Sequence, residues 1–320
     1  MWQWYYDPAV QMKMMRRQCS IQGWTLLVYL GIMNVAVIIA TVAAAVFVAL
    51  QGQYGAQAEA SVNAISGWGY FLAIGIGLLI LLLWKRKEYF TQVLFRKGRT
   101  MKAGKFFGLL SIFLSAQLIM IIASLILDII MQAMGITHAD TGTVSMDSWS
   151  MFLYVALGAP ISEELLFRGV VLRGLAPYGK RFSIFASAML FGLFHGNLTQ
   201  APFAFLVGVV LGYVALEYNI LWAMVLHMFN NLIVADTLSR LGTMLWGEMG
   251  GLLTVLVILV FGIAAFVTVI LWWKRIWAYF RRTKGVPHCG RAFFSAPGII
   301  VLLVILILST AFVEIMAFVQ

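Results

Sequence analysis

Charge, cysteine and proline are all scarce in this chain. Only 11% of its 320 residues are Asp, Glu, Lys or Arg, against roughly 25% in ordinary soluble domains. Twelve carboxylates and six prolines are spread along the whole length. Two cysteines, Cys19 and Cys289, fall in segments expected to face a reducing cytoplasm, which excludes a disulfide framework. No HExxH helix marks a zinc peptidase, and no GxSxG elbow marks a serine hydrolase. Low-complexity linkers and tandem repeats are also missing.

What fills the space is apolar. Hydrophobic residues make up 62% of the chain, and runs near the ~20 residues needed to cross a bilayer recur along it. They can be read at Trp24–Leu50, Ile65–Trp84, Phe106–Ala133, Trp149–Leu172, Phe182–Leu198, Pro202–Leu216, Ile220–Ala235, Leu252–Trp273 and Gly298–Val319. The expected fold is all-α, a polytopic transmembrane helix bundle of about nine spans, with eight as the minimum. "AQA" at 56–58 resembles a signal-peptide cleavage site, but the apolar run before it is far longer than a signal core, so an uncleaved first span is expected.

The net charge of +10 is a matter of topology. Lys and Arg crowd "KMMRR", "KRKEYFTQVLFRKGRTMKAGK", "RGLAPYGKR" and "KRIWAYFRRTKGVPHCGR", while the alternating loops "QGQYGAQAEASVNA" and "MGITHADTGTVSMDS" carry none. Of the 22 basic residues only Arg240 falls in a loop assigned to the outside. The positive-inside rule places the N-terminus in the cytoplasm. The excess cations then attract anionic membrane lipids, and no nucleic-acid partner is expected. The N-terminal "MWQWYYDPAVQMKMMRRQ" mixes aromatic and basic residues as an interfacial anchor does.

Three parts follow: residues 1–144, an interfacial segment and three spans; residues 145–240, a four-span core; and residues 241–320, two spans around a basic loop. Asp128 and Glu314 lie near the outer ends of their spans, where solvation is expected. His138 and His288 fall in loops and are expected to be solvated.

The core holds what is unusual. Ionisable groups inside membrane helices are costly and face a polar interior. "SEELLFRG" at 162–169 carries Glu163, Glu164 and Arg168. Helical spacing pairs Glu164 with Arg168 at i and i+4, while Glu163 points about 100° away, without a local partner. Pro160 just upstream removes a backbone donor and can open the helix. "FGLFH" sets Phe191 and His195 four residues apart, and "HMFNN" does the same for His227 and Asn231. Asn230 faces elsewhere and reads as packing. Measured at ~1.5 Å per residue from the cytoplasmic span ends, Glu163, His195, His227 and Asn231 lie ~13, ~20, ~12 and ~18 Å deep. These depths agree within the error of the span ends, which predicts a shared water-filled cavity between the fourth, fifth and seventh spans.

A carboxylate in such a cavity is a better base near neutral pH, because desolvation disfavours its charged form. Glu163 with His195 could then activate a water against a carbonyl, and N–H donors of His227 and Asn231 could stabilise the oxyanion. A zinc site is the rival on the same residues, with His195, His227 and either Glu163 or Glu164 as ligands.

With EExxxR, FxxxH and HxxxN present in this order, the chain resembles the CPBP family of intramembrane proteases: CAAX prenyl endopeptidases of the Ras-converting type and bacterial relatives tied to bacteriocin processing and immunity. The resemblance covers roughly residues 145–240. It implies an endopeptidase of about eight helices whose site lies in a conical membrane cavity, with Glu163 and His195 activating water and His227 with Asn231 as oxyanion hole. Glu164, Arg168 and Phe191 are then supporting residues. No cofactor is expected, with zinc as the alternative. The implied substrate is a peptide or membrane-protein segment, and the implied location is the plasma membrane of a prokaryote. A non-proteolytic partner or immunity protein of the same fold is the second reading. A proton-coupled transporter is the third, although no inverted repeat of spans supports it.

Overall fold

The computed structural model describes residues 7–85, 87–133, 148–232 and 238–319. His138, the loop around it, the first six residues and the end of the seventh expected span lie outside those ranges. Among the described residues, six helices are long and apolar enough to cross a membrane. They are α1 (Pro8–Leu50), α2 (Gly55–Lys85), α4 (Ala103–Ala133), α7 (Gln200–Glu217), α10 (Gly251–Arg282) and α12 (Pro297–Val319). Short α3 (Lys87–Leu94) lies between α2 and α4. A composite rod, α5 (149–175), precedes α6 (Lys180–Phe194). Beyond α7 come α8 (Ile220–Phe229), α9 (Leu238–Trp246) and, between α10 and α12, α11 (Cys289–Phe294).

Two helices run past the expected spans. α1 has 43 residues, about 65 Å of helix at 1.5 Å per residue, so residues 8–23 and the first expected span form one rod. Its start is set by Asp7, whose Oδ1 accepts the Ala9 N–H at 2.8 Å, with Pro8 in the first helical turn. α10 likewise continues to Arg282, which turns half of the basic loop into helix. The α10 extension, 274–282, holds no proline or glycine, and helix continues through it to stop just short of Lys284 and Gly285.

The fifth and sixth segments form a short hairpin. α6 has 15 residues, about 22 Å long, less than the ~30 Å hydrocarbon core. It stops because Gly196 takes a left-handed φ of 63°. Asn197 Oδ1 then accepts the N–H groups of Thr199 and Gln200, both at 2.9 Å, and starts the next helix. Glu314 is not solvated as expected: it is buried, and its Oε1 accepts the Leu198 N–H of this same turn at 2.9 Å. A carboxylate brought in by the last helix thus meets a backbone donor that the hairpin turn leaves over.

Close helix approaches are made through small residues. A Cβ on Gly23 of α1 would collide with the backbone of Gly298 in α12. One built on Gly208 of α7 would lie 3.1 Å from the Ala188 Cα of α6 and 3.2 Å from the Phe191 ring. Packing of this kind is what holds helices together in lipid, where apolar burial between helices contributes little.

Candidate active site

The α5 rod is not a plain α-helix. It is wound as π-helix over Tyr154–Gly158 and again over Glu164–Leu172, with α-helical turns between and around. π-turns widen the backbone and often occur at functional sites. The first one explains where Asn231 goes. In a π-turn each N–H bonds the carbonyl five residues back, as Ala159 N does to Tyr154 O. The next donor in line is residue 160, a proline with no N–H. Val155 O is therefore left over, and Asn231 Nδ2 donates to it at 3.0 Å. In the second π-stretch, Phe167 O accepts from the Ser187 hydroxyl of α6 at 2.9 Å.

Glu164 and Arg168 pair as their spacing predicts: Nη1 lies 2.9 Å from Oε1, and both side chains are fully buried. The same Oε1 also meets His227 Nδ1 at 3.1 Å. Arg168 Nη2 donates to Gly208 O at 3.4 Å, and the guanidinium carbon lies 4.3 Å from the centre of the Phe191 ring. Phe191 is thereby an aromatic hub. It meets His195 edge-on at 4.8 Å and His227 edge-on at 5.8 Å between ring centres, with Arg168 over its face.

Glu163 is the open member of the group. Its side chain is 31% exposed, against zero for Glu164, and its Oε2 lies 3.7 Å from His227 Nε2. The partner that helical spacing alone did not supply therefore comes from α8. His195 closes α6 as its C-terminal cap and is half-buried. Its Nδ1 is 2.8 Å from Phe191 O. A carbonyl can only accept, so Nδ1 carries the hydrogen and Nε2 presents its lone pair away from the helix. His195 is close enough to Glu163 and His227 to interact electrostatically with both.

The structure thus brings Glu163, Glu164, Arg168, Phe191, His195 and His227 into one contiguous cluster. Asn231 reaches the same rod through Val155, at the point where the segment after α8 winds into a π-turn over 230–232. Asn230, read from the sequence as packing alone, belongs to a relay instead. Gln117 Nε2 of α4 donates to Asn230 Oδ1 at 3.1 Å, and Asn230 Nδ2 donates to Asn231 Oδ1 at 3.1 Å. That chain fixes which end of the Asn231 amide faces Val155 and leaves its second N–H for another acceptor. Sequence reasoning also missed Tyr29 of α1 and Tyr154, both close enough to Glu163 to feel its charge. No local pattern signals either one, since tyrosines are common in membrane helices.

Because Val155 O has lost its helical partner to Pro160, Asn231→Leu is expected to leave a part-buried carbonyl unpaired and to cost about 1 kcal/mol. Thermal unfolding in detergent should show a lower midpoint than for Asn231→Gln, which keeps a donor. An unchanged midpoint for Asn231→Leu would mean that the Val155 contact carries no stability.

Zinc would need the Nε2 atoms of His195 and His227 together with one of the carboxylates. Among the described residues, no group of three His, Cys, Asp or Glu side chains is arranged to hold a metal ion. His227 Nδ1 and His195 Nδ1 are both already engaged.

Long apolar helices enclosing a buried cluster of charged and imidazole groups define an integral membrane protein with a polar interior site. Residues 145–233 match the family model described as type II CAAX prenyl endopeptidase Rce1-like. The likeness to the CPBP and CAAX protease family read from the three motifs is thereby shown over this segment, and the activity it implies at family level is proteolysis. No curated protein and no solved structure gives a match.

Proposed function

We propose that the chain is an intramembrane endopeptidase in which Glu163 and His195 activate a water molecule. The observation that carries this reading is the division of labour between the two glutamates. Glu164 is fully buried and bonded to Arg168 and His227, while Glu163, one residue earlier, is open and faces two imidazoles. A water held between Glu163 and His195 Nε2 would give a proton to the carboxylate as its oxygen bonds to the scissile carbonyl carbon. Collapse of the tetrahedral intermediate breaks the C–N bond, and the proton on Glu163 passes to the leaving amine.

Stabilisation of the oxyanion falls to donors already oriented. Asn231 has one amide hydrogen remaining beyond the bond to Val155 O. His227 turns Nε2 toward Glu163 and donates from it when the ring carries both hydrogens. Arg168 and Glu164 touch neither water nor substrate in this reading. They position His227 and Phe191.

The substrate class is a peptide segment reaching the site from the bilayer or its cytoplasmic face. Comparative membrane peptidomics of cells carrying wild type or Glu163→Gln tests activity and substrate together. Peptides that vanish in the variant are expected, and identical peptidomes would refute a peptidase. For the mechanism, elemental analysis of untagged protein is expected to find zinc well below one equivalent. One equivalent that is lost on His195→Ala would overturn glutamate-only activation.

A further inference from the structure

A cavity lies away from this cluster, at the end of the bundle where the basic segments meet. It has a volume of about 720 Å³, within the roughly 300–1,000 Å³ range of small-molecule sites, and none of the Glu163 cluster lines it. Its lining includes seven Lys and Arg residues, from the segment before α4 and its first turn, the start of α6 and the end of α10, and a single carboxylate, Glu217. Apolar side chains also line it, among them the buried Leu109 and the part-buried Ile112, Val209 and Val210.

The lone acid is already neutralised. Glu217, buried at the end of α7, takes Lys180 Nζ at 2.6 Å, Arg99 Nη2 at 3.4 Å and the Tyr279 hydroxyl at 3.2 Å. Arg99 is held there by its own backbone, whose N–H donates to Glu217 O at 3.0 Å. Asn219 Nδ2 also ties the preceding loop down at Arg96 O, 3.1 Å away. Lys105 stacks on the Trp272 ring at 3.4 Å, and Arg181 donates to Phe280 O at 3.3 Å. Lys274, Arg275 and Arg282 are exposed at the rim and form no ion pair among the described residues. Beside them Trp273 and Trp277 stack at 6.1 Å, both exposed, as aromatic residues at a membrane interface do.

We propose that this cavity binds one anionic phospholipid of the surrounding bilayer. The headgroup phosphate sits at the rim among Lys274, Arg275 and Arg282, and the first part of an acyl chain lies along the Ile112 and Val210 wall. Excess positive charge calls for an anion, and the apolar part of the lining calls for an amphiphile rather than a free ion. Position at the basic end of the bundle, beside the exposed Trp273 and Trp277 pair, supplies that amphiphile from the membrane itself. The proposal does not depend on the peptidase reading.

The test is native mass spectrometry of the full chain released from detergent with added dioleoyl phosphatidylglycerol or dioleoyl phosphatidylcholine. At least tenfold stronger retention of phosphatidylglycerol is expected. With about 1 kcal/mol per basic residue, Lys274→Gln/Arg275→Gln should weaken it roughly 30-fold and Arg282→Gln about fivefold. Lys13→Gln/Arg17→Gln removes the same charge from exposed positions on α1 and should change retention less than twofold. If the 274/275 pair fails to fold, Arg282→Gln carries the test. Equal losses in both double variants would overturn the proposal, as would equal retention of the two lipids. Displacement of phosphatidylglycerol by millimolar inorganic phosphate would assign the rim to a soluble anion instead, and would also overturn it.

Discussion

Glu163→Gln is expected to lower peptide cleavage by about 10²–10⁴-fold, the range over which a positioned general base acts, while leaving folding intact. The second half of that expectation comes from the geometry. Glu163 is part-exposed, and the imidazole nearest it is that of His227, with Nε2 at 3.7 Å, beyond hydrogen-bonding distance. Removing its charge therefore breaks no short bond. Glutamine keeps the volume and the polarity but cannot take a proton from water. The measurement is turnover of a substrate found by peptidomics, with the purified variant's melting profile as the control. Full activity in a normally folded variant would exclude Glu163 as the base and assign that role to another group.

Arg168→Met is expected to act on folding rather than on chemistry, with a loss of about 3–5 kcal/mol, as for buried pairs from which one partner is removed. Loss on that scale is a large share of the 5–15 kcal/mol that stabilises a typical protein, so the variant should accumulate poorly. The reason is Glu164, which the change strands as a buried anion. Only His227 Nδ1 would remain on its Oε1. Adding Glu164→Gln to Arg168→Met should recover part of the loss, because the stranded charge is then gone. Arg168→Lys should not recover the native state fully. An ammonium can reach Glu164, but it cannot also donate to Gly208 O and lie flat over Phe191 as the guanidinium does. Melting curves of the four proteins check this. A wild-type midpoint for Arg168→Met would remove the structural role given to the pair.

Much of the site was legible because helical spacing is a local property. Glu164 and Arg168 are four residues apart and share a face whether the winding is α or π, so their pairing was readable from "EELLFR" alone. Glu163 could be separated from them by the same reasoning. The residues that complete the site were not legible in this way. His227 is 63 positions from Glu164, and Gln117 is 113 positions from Asn230. Periodicity within one helix says nothing about which face of another helix it will meet. Glu314 failed for the same reason. From the sequence it was a carboxylate near a span end, and its backbone partner at Leu198 exists only because the α6–α7 turn ends beneath it.

The sequence by itself determined the apolar helical character of this protein, the basic side of its loops, the three motifs and the chemistry those residue types can perform. Each of these depends on composition or on neighbours within one helical turn. Only the tertiary structure decided that α5 winds as π-helix around Pro160, that the carbonyl left over there holds Asn231, and that Asn230 and Gln117 orient it. The same holds for the basic cavity, since three segments that the sequence places in separate loops converge around Glu217. Satisfaction of buried polar groups and convergence of charge are set by how helices pack, and packing is decided between segments far apart in the chain.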